Sequence, residues 1–329
     1  MIVRLAMIGA GRIANVHAGA IGSNPDAALV AVADAIPAAA AAFAAKWRCE
    51  VRSLDAIAAD RAIDAVLICT PTDTHADLIE RFACAGKHVF CEKPVDLDIT
   101  RATEVVAAAD AAGVKLMLGF NRRFDPHFAG VRAAIDEGRI GKVEMVTITS
   151  RDPGAPDVGY AARSGGIFRD MTIHDLDMAR FMLGEDPVWV SAHASVLVDP
   201  ALGVIGDHDS VSVILETASG RQAVITNSRR AAYGYDQRIE VHGEKGVVNA
   251  ENQHMASVVV GTADGYMRPP LQNFFMTRYT ASYAAEIAAF IASLTGDRQA
   301  SPSGQDGLFA LKLADACARS AAEGRRIAV

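Results

Sequence analysis

Through the first 120 residues, short apolar runs alternate with longer stretches whose apolar positions recur three and four apart. Runs at 2–8, 28–34, 63–69, 89–91 and 115–120 are apolar almost without a break, the pattern of strands covered on both faces of a parallel sheet. Residues 12–21, 35–47 and 103–112 carry the helical period between them, and residues 70–75 supply the hydroxyls and caps that start another helix. This alternation predicts an N-terminal doubly wound α/β domain over 1–120. After a helix that ends at Glu137 the period changes to two. Runs at 143–149, 188–198, 210–217, 222–228, 237–241 and 247–250, parted by turns such as Gly243-Glu244-Lys245-Gly246, predict a C-terminal α+β domain over 121–329 with a large, mostly antiparallel sheet. Within it, residues 165–184 carry a helical stripe of Met171, Leu176, Met178, Phe181 and Met182. Helices over 283–294 and 310–322 and a short edge strand over 325–329 complete the chain.

Composition narrows the partners. A net charge of -7, with no run of Lys and Arg interleaved with aromatics, argues against nucleic acid. The first residues lack the flanks of a signal peptide and no apolar segment reaches membrane-spanning length, so a cytoplasmic protein is expected. Cys49, Cys69, Cys84, Cys91 and Cys317 form no C-x-x-C and read as reduced core residues.

The first strand runs into Gly9-Ala10-Gly11-Arg12-Ile13-Ala14, a G-x-G-x-x-A turn. Gly9 makes the bend, Gly11 lets a pyrophosphate approach the helix N-terminus, and Ala14 allows close packing of helix on strand. The second strand ends in Asp34, placed to accept hydrogen bonds from a ribose and to repel a 2′-phosphate, so NAD is expected over NADP, although Arg12 works in the other direction. Thr70, Pro71, Thr72 and His75 follow the 63–69 strand and should lie beside the cofactor, with a plain capping role for His75 as the alternative. The 89–91 strand ends in Glu92-Lys93-Pro94, which holds an extended lysine at the carboxyl edge where such sheets bind ligands. A rim ion pair of Lys93 with Glu92 is the bland reading. Arg123 can bond a polyol or an anion, or pair with Asp125.

In the second domain Asp170 and His174 stand four apart on one helical face, with Asp177 three further on. A carboxylate one turn from an imidazole fixes its tautomer and raises its basicity, as a general base for an alcohol proton requires. Clustered acids around a histidine also suit a metal, but no second histidine stands at ligand spacing and there is no H-E-x-x-H, so none is expected. Core packing is the main reading of Tyr279 and Tyr283, with closure over a sugar as the other.

The glycine turn, Cys91-Glu92-Lys93-Pro94 and Asp170-x-x-x-His174, standing in this order, resemble the Gfo/Idh/MocA oxidoreductase family, and the similarity runs the whole length. Residues 150–153, 166–177 and 229–236 look most like its inositol-oxidising members. The resemblance implies a Rossmann domain binding NAD through Gly9, Gly11, Arg12, Ile13, Asp34, Thr70, Pro71, Thr72, His75, Glu92 and Lys93. It implies a catalytic triad of Lys93, Asp170 and His174, and substrate contacts from Arg123, Asp152, Asp177, Tyr279 and either Tyr233 or Tyr235. The implied reaction is oxidation of a ring hydroxyl of a cyclic polyol, myo-inositol to 2-keto-myo-inositol first, with scyllo-inositol, glucose or another sugar as alternatives, by a homodimer or homotetramer. An NAD-binding regulator without turnover is the rival class. A short-chain dehydrogenase is not, since no Tyr-x-x-x-Lys occurs.

Overall fold

The computed structural model describes residues 2–296 and 298–329. The chain groups into two compact units, Met1–Phe124 with Thr280–Leu311, and Asp125–Tyr279 with Lys312–Val329. The first unit begins β1 (Val3–Ile8), α1 (Arg12–Gly22), β2 (Ala27–Ala33), α2 (Pro37–Trp47), β3 (Glu50–Val51), α3 (Leu54–Ala59), β4 (Ala65–Ile68), α4 (His75–Cys84), β5 (His88–Cys91), α5 (Ile99–Ala111) and β6 (Leu116–Leu118). Its six strands pair in parallel in the order β3-β2-β1-β4-β5-β6. The order reverses beside β1, which makes the carboxyl ends of β1 and β4 the switch point where such sheets take a dinucleotide. Leu5, Met7, Leu67 and Phe90 are wholly buried, as the unbroken apolar runs require.

The second unit continues with α6 (Pro126–Asp136), β7 (Val143–Arg151), α7 (Val158–Ala161), α8 (Ile173–Leu183), β8 (Pro187–Ser195), α9 (Pro200–Val204), β9 (Ser210–Thr217), β10 (Gln222–Ser228), β11 (Asp236–Gly243), β12 (Gly246–Ala250), β13 (Val260–Thr262), β14 (Gly265–Met267) and α10 (Phe275–Arg278). After it come α11 (Thr280–Thr295), α12 (Gly304–Glu323) and β15 (Ile327–Ala328). The seven-stranded sheet has the order β12-β11-β7-β10-β9-β8-β15, antiparallel except where β10 lies parallel to β7. One face of β7 carries Val146, Ile148 and Ser150 inward, and α8 packs there. The other face presents Met145, Thr147 and Thr149.

Three features differ from the pattern. Residues 165–184 are not one helix: Phe168–Thr172 form a π-helical turn that passes into α8. The β13–β14 hairpin is too short and too exposed to show a period. And α11, placed by the sequence boundary in the second domain, groups with the first unit, where Ile287, Phe290 and Ile291 pack with Leu5, Met7 and Phe90. An apolar stripe states that a helix buries a face but not against which sheet. The cysteines are all free. Cys69, Cys91 and Cys317 are buried, whereas Cys84 is exposed, so the core reading does not hold for it. No helix among the described residues is long and apolar enough to cross a membrane.

Candidate active site

The turn after β1 opens α1 without a side-chain cap. Gly9 has φ +96°, and a Cβ on it would lie 2.7 Å from the Cys69 carbonyl oxygen, so only glycine fits where β1 and β4 end side by side. Gly11 is the N-cap of α1 with no side chain capping it, and nothing lies within 4 Å of where its Cβ would stand. That combination leaves space and unsatisfied donors for a pyrophosphate. Asp34, at the end of β2, accepts from the Ala10 N–H at 2.6 Å and the Ile36 N–H at 2.7 Å. The same carboxylate therefore fixes the glycine turn and stands where a ribose would be held, which fits NAD. Arg12 is exposed and Ile13 half-buried at the first turn of α1.

Beyond β4, the Thr74 hydroxyl donates to the Pro71 carbonyl at 2.7 Å and lies at the same distance from the Thr70 hydroxyl, which shapes the Thr70–Pro71–Thr72 loop. His75 is not turned toward this rim. It is buried, with Nδ1 2.7 Å from the Pro94 carbonyl oxygen and Nε2 3.0 Å from that of Thr70. Burial lowers its pKa, opposed by those two carbonyls. Glu92 is likewise turned inward. Its Oε1 lies 2.6 Å from Nε2 of the buried His17, and its carboxylate packs so closely over Gly119 that a Cβ there would lie 2.9 Å from Oε2. His75 and Glu92 thus fix the loops that follow β4 and β5 through these bonds. Lys93, between Glu92 and Pro94, is partly exposed. Arg123 pairs with Asp306 at 3.3 Å, while Asp125 caps α6 and takes Arg278, so the Arg123–Asp125 alternative is not formed.

In the second unit the π-turn carries Asp170 and the first turn of α8 carries His174, both partly exposed. Asp170 accepts from the Tyr160 hydroxyl at 2.8 Å on Oδ1 and from a guanidinium nitrogen of Arg229 at 3.1 Å on Oδ2. Asp177 is buried. Its neighbour Asp175, also buried, anchors α8 to the sheet by accepting from Ser150 at 2.7 Å and Asn227 at 2.8 Å. Asp152 follows β7, its N–H donating to the Ser228 carbonyl at 2.9 Å.

The tyrosines are placed elsewhere. Tyr233 is half exposed, its hydroxyl donating to Asp236 Oδ2 at 2.5 Å and accepting from Arg151 at 2.7 Å. With Thr147, Thr149, Arg238 and His254 it lines a cavity of about 470 Å³ on the sheet face away from α8. Strand alternation sends Ser150 to α8 and Arg151 to the opposite face, so the sheet does not bring Tyr233 to Asp170. Burial would raise the pKa of Asp236, but its bonds to Arg238, Tyr233 and Asn252 outweigh burial and hold it below the usual carboxylate value. Tyr235 and Tyr279 form an edge-to-face pair, ring centroids 6.0 Å apart, and both are buried. The Tyr279 hydroxyl reaches Gln237 at 3.3 Å, which agrees with core packing as the main reading of that ring. Among the described residues no group of three His, Cys, Asp or Glu is arranged to hold a metal.

His17, Tyr160 and Asp207 carry no site signal in the sequence, and Arg229 stands out only within the 229–236 segment, with no role attached to it. The only signals were a glycine doublet at 165–166 and adjacent arginines at 229–230, neither tied by spacing to Asp170.

A family model described as "Oxidoreductase family, NAD-binding Rossmann fold" matches residues 3–120, and "GFO/IDH/MocA C-terminal domain" matches residues 128–249. The chain is 66% identical, over all of its own length and all of the relative's, to a protein of Rhizobium meliloti named inositol 2-dehydrogenase. Among solved structures it is similar to a myo-inositol dehydrogenase from Corynebacterium glutamicum at 42% identity, covering 100% of this chain and 99% of that one with a TM-score of 0.96. It is also similar to a scyllo-inositol dehydrogenase from Lactobacillus casei, solved with NAD(H) and scyllo-inositol, at 29% identity, 100% and 99% coverage and a TM-score of 0.92.

Proposed function

This chain belongs to the Gfo/Idh/MocA oxidoreductase family, and from that premise we propose that it oxidises the secondary ring hydroxyl of myo-inositol to give 2-keto-myo-inositol. The observation that carries the substrate is end-to-end identity of 66% to an inositol 2-dehydrogenase. NAD is the cofactor and, when bound, supplies the hydride acceptor.

The glycine turn and Asp34 would hold the dinucleotide, with Thr70, Pro71 and Thr72 beside it. His174 takes the hydroxyl proton as general base. Lys93 donates to the same oxygen and stabilises the alkoxide that develops on it. Asp170, itself held by Tyr160 and Arg229, orients the imidazole and balances its charge. Arg123, Asp152 and Asp177 supply polar contacts for the remaining hydroxyls.

Self-association belongs to the same proposal. The sheet face away from α8 exposes the apolar side chains of Met145, Trp189 and Ile214, which supports a homodimer or homotetramer. A cytoplasmic location is proposed with it.

NADH formation followed by absorbance, with myo-inositol, scyllo-inositol and glucose crossed with NAD and NADP, tests the reading. Myo-inositol with NAD is expected to give the highest kcat/KM, and His174→Ala and Lys93→Ala are each expected to lose about 10² to 10⁴ in kcat. Near-normal turnover in either variant, or cofactor binding without turnover on every polyol, overturns it.

A further inference from the structure

Arg229 is among the largest fully buried side chains of the protein, although nothing in the core requires a cation there. A buried guanidinium is costly unless paired, and this one is paired with Asp170 at 3.1 Å. Its other carboxylate neighbour is Asp207, whose Oδ2 lies 4.0 Å from the same nitrogen. Asp207 spends its remaining oxygen on backbone: Oδ1 accepts from the N–H of Ile167 at 2.8 Å and of His208 at 2.7 Å.

The Ile167 bond matters because it precedes the π-turn Phe168–Thr172 that carries Asp170. Gly166 makes the approach possible. It has φ +79°, and a Cβ on it would stand 2.8 Å from Asp207 Oδ1. A π-turn is a strained, rare element that persists only where its surroundings hold it. Here Asp207 holds the segment leading into the turn and Arg229 holds the carboxylate the turn presents. Arg229 is itself fixed from behind, its N–H donating to the Asp209 carbonyl at 2.8 Å, and Asp209 in turn accepts from the N–H groups of Leu197, Val198 and Asp199.

We propose that Arg229, with Asp207 behind it, is a positioning residue that acts on the oxidation step through Asp170. The inference rests on the proposed role of Asp170 in that step. Arg229 touches no reacting atom. It sets which way the Asp170 carboxylate faces and compensates its charge, and so sets the orientation Asp170 can impose on His174. A displacement of about 1 Å in such a group costs on the order of 10²-fold in rate.

The test is a double-mutant cycle in the full-length enzyme with myo-inositol and NAD, using Arg229→Gln, Arg229→Lys, Asp207→Asn and Asp170→Asn, with NADH affinity read by fluorescence titration. Arg229→Gln is expected to lower kcat about 10- to 100-fold with NADH affinity unchanged within about twofold, since the glycine turn is untouched. Arg229→Lys, which keeps the charge on a narrower donor, should recover part of the loss. In the Asp170→Asn background Arg229→Gln should cost almost nothing further, because residues that act as a unit are not additive. Should Arg229→Gln fail to fold, the same cycle is run with Arg229→Lys and with Asp207→Asn. Full activity in a folded Arg229 variant, or losses that multiply with that of Asp170→Asn, overturns the inference while leaving the proposed function standing. Near-normal turnover of Asp170→Asn alone overturns the reading of Asp170 and this inference with it.

Discussion

The imidazole of His75 is clasped by the carbonyl of Pro94, 2.7 Å from its Nδ1, with the Thr70 carbonyl 3.0 Å from Nε2 on the other side. One buried ring therefore ties the loop after β4 to the residue that follows Lys93. A neutral imidazole donates from one nitrogen only, so one carbonyl is always less well served.

Burial lowers the His75 pKa below its ordinary 6.5. The unfolded chain then takes up the proton first as pH falls, so the stability this ring contributes is present above pH 6.5 and is lost on acidification through its lower folded pKa. His75→Asn should flatten the fall of the urea midpoint from pH 6.5 toward pH 5 relative to wild type, by up to about 1.4 kcal/mol per pH unit. At pH of about 8 it should be less stable by about 1–3 kcal/mol through the lost bond. An unchanged acid slope in His75→Asn refutes this account.

Glu286 on α11 produces the opposite flank. It is wholly buried, neither carboxylate oxygen has a hydrogen-bond partner among the described residues, and burial first, then the charge of Glu92, push its pKa well above the ordinary 4.5. The folded protein keeps this proton longer than the unfolded chain does, so stability falls as pH rises above 4.5. Glu286→Gln, nearly isosteric and uncharged, should remove that fall and be more stable than wild type at pH of about 8. Parallel stability profiles for wild type and variant between pH of about 5 and 8 would show that the proton is not held there.

Asp34 joins cofactor choice to loop shape, because the carboxylate that would meet the ribose also accepts from the Ala10 N–H. Asp34→Ser should weaken NADH binding by about 1–3 kcal/mol, roughly 5- to 150-fold, and weaken NADPH less, since a carboxylate that repels the 2′-phosphate is gone. Fluorescence titration with both nucleotides measures the ratio. If the ratio of the two affinities stays at its wild-type value, Asp34 does not set the preference.

The chain itself determined the two architectures, because period and burial are coupled locally. Short, nearly unbroken apolar runs such as 63–69, bounded by turn residues, read as strands covered on both sides, and the looser alternation at 210–217 and 222–228 reads as strands with one dry face. The glycine turn was equally legible, since Gly9 and Asp34 answer to short-range geometry within one strand-turn-helix-strand unit. Tertiary structure alone decided what holds the chemistry in place. His17 meets Glu92 across 75 residues, and Arg229 meets Asp170 across 59. No period links such pairs, because a hydrogen bond between distant segments depends on where the folded backbones pass and not on any spacing in the string. The same reason sent Tyr233 to the far face of the sheet and returned α11 to the first unit. The chain encodes which faces must be dry, and packing selects the partner each buried polar group finds.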